Sequence, residues 1–108
     1  MALRPPSRYQ SSAIGVSSAS GVLNTLDHEI LGEKAAALGR AGEKVQSALG
    51  RLGVEPADSP RREKLVKQAA DAVYAYFIQR ELCGLRRHHD VIREYSIPAE
   101  VLLRLGAS

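Results

Sequence analysis

The stretch Leu31–Gly53, LGEKAAALGRAGEKVQSALGRLG, decides how this chain folds. Leu31, Ala35, Leu38, Gly42, Val45, Leu49 and Leu52 recur at alternating spacings of four and three. That rhythm places them along one face of an α-helix, the seam by which helices pack on one another. Ile30, Ala37, Ala41 and Ala48 widen the apolar arc on one side, so the face suits more than one neighbour. Ala35 and Gly42 are small enough to let a partner helix approach closely. The segments GEKAAALGR (Gly32–Arg40) and GEKVQSALGR (Gly42–Arg51) echo each other. Their offset is far shorter than the ~20–50 residues of a repeat architecture, so the echo is helical periodicity. Gly32, Gly39 and Gly50 lie in one line beside the polar face. Each costs about 1 kcal/mol against Ala, and each is either exposed or pressed against another backbone.

Toward the amino terminus, Asn24 or Thr25 can cap this helix, with Asp27 and Glu29 suiting the positive end of its dipole. The expected start is therefore near Asn24. Residues 1–22 are rich in Ser, Gly and Pro and read as a flexible arm, leaving residues 23–108 as a single helical domain. Toward the carboxyl terminus, GVEPADSP (Gly53–Pro60) breaks the helix, with Ser59 as cap and Pro60 at the first position of a second helix. That helix is predicted over Pro60–Cys83, with Val66, Ala69, Ala70, Val73, Tyr76 and Phe77 facing inward. Ala72–Ile78 (AVYAYFI) is apolar nearly all round, which one antiparallel partner cannot satisfy. Leu82, Leu85, His89 and Ile92 continue the rhythm, predicting helix through a kink at Gly84 to about Glu94. Pro98–Leu105 forms a short last helix that Gly106 stops.

The fold class is thus all-α: a long antiparallel helical hairpin plus a short C-terminal helix, the bundle completed by oligomerisation. The expected interface is Leu31, Ala35, Leu38, Gly42, Val45, Leu49, Val73, Tyr76 and Phe77, and the expected partner is a second copy of the chain.

Composition narrows the function. Fifteen basic against twelve acidic residues leave +3, two of those charges being Arg4 and Arg8 in the arm. The remainder is close to neutral, so any nucleic-acid affinity would have to come from a local cluster. One cysteine excludes an intramolecular disulfide, and no apolar run approaches the ~20 residues that span a bilayer. A cytoplasmic protein is the expectation.

Chemistry-bearing residues crowd into Gln79–Tyr95, QRELCGLRRHHDVIREY. Cys83, His88, His89 and Asp90 are metal-ligand types, but neither Cys–His pair has the i, i+3 or i+4 spacing that joins two ligands on a helix face. Beside Arg86 and Arg87 an exposed Cys83 would be an activated thiol, whereas cysteine is more often buried. No phosphate loop, nucleophile turn or dinucleotide fingerprint accompanies it. No catalytic, cofactor-binding or metal residue is assigned, and a metal- or thiol-dependent protein is the remotest reading. Nucleic acid is the stronger rival: Arg86, Arg87, His88 and Arg93 could hold phosphates. Glu81, Asp90 and Glu94 dilute that charge, and the favoured reading is a solvated helix face. In it Leu82, Leu85 and Ile92 pack, Cys83 is buried, and the arginines and His88 face outward. Arg80 would fix register by pairing with Glu81 or with Asp27 of another helix.

The block QRELCGLRRHHDVIREYSIPAEVLLRLG (Gln79–Gly106), preceded by LDHEILGEKAAALGRAGEKV (Leu26–Val45), resembles a small bacterial family known as a domain of unknown function. Cys-Gly-Leu-Arg and Ile-Pro-x-Glu-Val-Leu are its distinctive elements. The resemblance implies a compact helical protein and supplies no activity, cofactor or catalytic residue.

Overall fold

In the computed structural model the backbone is described over residues 13–107 and the side chains over residues 21–107. The elements are α1 (Ala13–Gly53), α2 (Arg62–Leu82), α3 (His89–Glu94) and α4 (Ala99–Leu102). Among the described residues there is no strand. The long α1 packs against α2 as a hairpin, followed by the short C-terminal helix. The chain divides into two compact units, with the boundary between Glu33 and Lys34.

α1 starts at Ala13, well ahead of the cap expected at Asn24, so residues 13–22 of the expected arm are helical and residues 1–12 lie outside the described part. Extending an existing helix gains one hydrogen bond for each residue fixed, so weak formers join at little cost. α2 begins at Arg62 rather than Pro60. Ser59 instead makes the turn before it: its hydroxyl accepts from the Arg61 amide at 3.1 Å and its carbonyl from the Arg62 amide at 3.1 Å.

The core of the second unit is built from small and branched side chains. Val45, Ala48 and Leu52 of α1 meet Leu65, Val66, Ala69, Ala70, Val73 and Tyr76 of α2, and Val91, Ile97 and Val101 close the far side. The apolar block Ala72–Ile78 is not buried all round. Val73 and Tyr76 point inward, whereas Tyr74, Ala75 and Ile78 are exposed, so the block does not by itself demand a second chain. Arg62 ties the ends together. Its guanidinium donates to the Glu55 carbonyl just past the end of α1 at 2.9 Å and to the Leu52 carbonyl in its last turn at 3.3 Å, and pairs with Glu100 of α4. Glu63 pairs with Arg104 at 3.1 Å, not with Lys67 on its own helix.

The chain does not run on as a kinked helix beyond Gly84. Gly84 takes φ +87°, the Leu85 amide donates to the Arg80 carbonyl at 2.9 Å, and the Gly84 amide donates to Glu81 at 3.0 Å. That is a Schellman close, which ends a helix. α3 ends the same way on Ser96 at φ +51°, with the Ile97 amide bonded to Ile92 at 3.0 Å and Ser96 to Arg93 at 3.1 Å.

The helical glycines separate into two kinds. A Cβ on Gly39 or Gly50 would meet nothing within 4 Å, whereas one on Gly42 would lie 3.2 Å from the Tyr95 hydroxyl and 3.5 Å from the Tyr76 ring. Gly39→Ala and Gly50→Ala are therefore expected to raise stability by about 0.5–1 kcal/mol each, and Gly42→Ala to lower it. Urea denaturation of the three variants reads the signs directly.

Candidate functional site

The residues of Gln79–Tyr95 are brought together by the turn at Gly84. Residues 85–88 leave the helix and run back along its last turns, laying His88 flat on Phe77 with ring centroids 4.1 Å apart and planes 4° from parallel. Arg80 holds this return. Its Nε donates to His88 Nδ1 at 3.1 Å and its Nη2 donates to the Arg87 carbonyl at 2.8 Å, while the guanidinium lies 5.9 Å from the centre of the Tyr76 ring. With Nδ1 accepting, the ring proton sits on Nε2 and points at Glu81 Oε2, 3.0 Å away. Tyr76 meets Tyr95 edge to face at 5.8 Å, which carries the aromatic series across to the residue that closes α3.

This arrangement corrects several expectations. His88 does not face outward: its side chain is 14% exposed and covered by Phe77 and Arg80. Arg80 bonds to His88 and Arg87 rather than to Glu81, whose carboxylate is engaged by His88. Leu82 and Leu85, expected to pack, are 60% and 43% exposed. Once the helix stops at Gly84, their spacing no longer places them on a buried face. His89 is exposed and opens α3, and Val91 takes the inward place. Cys83 is half-buried, with its sulfur 3.9 Å from the Lys34 carbonyl.

Of the residues considered for nucleic acid, Arg86 and Arg87 are exposed on the linker and not on a helix face. Arg93 pairs with Asp90 at 3.0 Å, and His88 is already engaged on both nitrogens. Among the described residues no group of three or more His, Cys, Asp or Glu side chains comes together as metal ligands.

The expected interface residues divide in two. Gly42, Val45, Val73 and Tyr76 are buried within the chain, and Leu38, Leu49 and Phe77 are half-buried against the same core. They are occupied by the hairpin's own packing. Leu31 and Ala35 are exposed. Within the first unit, α1 also carries Leu23, Leu26 and Ile30 at 60%, 48% and 53% exposure, spaced three and four residues apart on one face. That stripe was legible as a helical rhythm, and placing the helix start at Asn24 hid its first member.

Tyr95 supplies a pH signature. Burial pushes its phenol above the ordinary 10.0, the Tyr76 hydrogen bond and the Glu94 charge add to the rise, and Arg80 opposes it. The folded state thus keeps the proton longer than the unfolded chain does. Its contribution is complete below about pH 10 and is lost as pH rises through the folded value. Tyr95→Phe is expected to flatten the decline of stability with pH in that alkaline range, read by denaturation at a series of pH values. His88→Ala removes the ring between Arg80 and Phe77, and is expected to cost roughly 1–2 kcal/mol.

No curated protein and no solved structure matches the chain. One family does match: "Family of unknown function (DUF6665)" covers residues 10–108. The chain belongs to this family, whose function is unknown.

Proposed function

We propose that this protein is a non-enzymatic helical assembly module that associates with a second copy of itself through the amino-terminal part of α1. The observation that carries the reading is the exposed stripe Leu23, Leu26 and Ile30, flanked by Val22 and Leu31, which are also exposed. Every residue from Gly21 to Glu33 is exposed. A helix with no packed face is marginal in water even at 12–15 residues, so a stripe at helical spacing signals a face that another surface covers. Covering a large aliphatic side chain gives about 1.5–3 kcal/mol, so a few of them outweigh the low intrinsic stability of the segment. The engagement of Arg80, Glu81 and His88 with one another supports a structural rather than a catalytic role for that cluster. A cytoplasmic setting belongs to this reading and is supported by the single unpaired cysteine.

Native mass spectrometry of the full chain tests it. The expected mass is a multiple of the chain mass, and Leu26→Glu is expected to reduce it to one chain while circular dichroism keeps most of the helical signal. A parent protein of single-chain mass at micromolar concentration would overturn the reading.

A further inference from the structure

The hairpin carries a groove lined mainly by alanines. Ala37 and Ala41 on α1 and Ala72 and Ala75 on α2 line a depression of about 230 Å³, with Arg40 and Lys44 at its rim. All of it lies within the second unit, where the alanines are half-buried or exposed. The groove is small-sided and basic. The stripe is the opposite, with bulky Leu26 and Ile30 accompanied by Asp27, Glu29 and Glu33. Among the described residues none of these three acids, nor Arg40 or Lys44, belongs to an ion pair.

The geometry points to a reciprocal, antiparallel dimer in which the Leu26–Ile30 stripe of one copy docks into the alanine groove of the other. This rests on the self-association proposed above and specifies its partner surface. The spacing supports the match. Leu26 and Ile30 are four residues apart, as are Ala37 and Ala41, so running the helices antiparallel sets Leu26 against Ala41 and Ile30 against Ala37. Large side chains then meet small ones, the condition for close helix packing. In the same register Glu29 comes within a turn of Arg40 on the same flank, and the two-fold symmetry repeats the pair. A parallel arrangement would instead align acids with acids and bases with bases, a repulsion that argues against it.

The register is tested by mixed disulfides in the full chain carrying Cys83→Ser. Ile30→Cys and Ala37→Cys copies, each first confirmed to keep the dimer mass, are mixed and oxidised. The expected product is a dimer linked between the two variants, with little linkage when either is oxidised alone. Ready linkage of Ile30→Cys with itself, or a dimer that forms no mixed disulfide, overturns the antiparallel register while leaving self-association standing. A single-chain mass for the parent overturns both. Charge reversal gives an independent readout: Arg40→Glu and Glu29→Arg are each expected to weaken dimerisation roughly tenfold, by turning two symmetric attractions into repulsions. Mixing the two variants is expected to restore it, and failure of the mixture to recover affinity counts against the docking.

Discussion

The packing of Val45 and Leu52 on α1 against Ala69, Ala70 and Val73 on α2 is the contact on which the rest depends. The small and branched side chains of the two helices fill the space between them. The result is a slender core: Leu52, Val45, Val73 and Val101 are its largest fully buried side chains. A core of that size leaves little margin, and the chain adds ties where it is thinnest. Arg62 joins the end of α1 to α4, and Arg104 joins the C-terminal segment back to α2.

The return of the chain after α2 is the second constraint. Gly84 turns the backbone, and Arg80 and Phe77 give the returning segment something to bind. Four kinds of contact converge there: a guanidinium–imidazole bond, a carboxylate on the far ring nitrogen, a ring stack, and the Arg87 carbonyl held by Arg80. His88, one of the residues that invite a chemical interpretation in the linear sequence, is therefore engaged with Arg80 and Glu81 in holding the linker. Apolar surface on α1 is exposed, and an alanine groove lies on the hairpin.

The linear sequence was legible where a feature depends on neighbours three or four residues away. The rhythm from Leu38 to Leu52 and the inward set Val66, Ala69, Ala70, Val73, Tyr76 and Phe77 follow from helical geometry alone and are buried or half-buried, whereas Leu31 and Ala35 of the same rhythm are exposed. The break at Gly53–Pro60 is also local, since it rests on turn chemistry, whereas the last helix, expected over Pro98–Leu105, spans only Ala99–Leu102 and gives way to turns before Gly106. The inward position of His88 was not legible. It lies eight residues from Arg80, a spacing with no meaning on a continuous helix, and becomes a contact only because the chain reverses.

By itself, then, the sequence determined that the protein is helical, where the break between its two main helices falls and which face of each is apolar where they pair, because these are short-range consequences of 3.6-residue periodicity and turn chemistry. Only the tertiary structure decided which parts of those faces are satisfied within the chain. The last turn of α2 reaches α1 at Lys34, where Cys83 meets its carbonyl, so Val45 and Leu52 lie alongside α2. Leu26 and Ile30 carry the same kind of side chain at the same kind of spacing and are exposed. The distinction cannot be read from spacing, because burial depends on which residues distant in the sequence come to lie against a face.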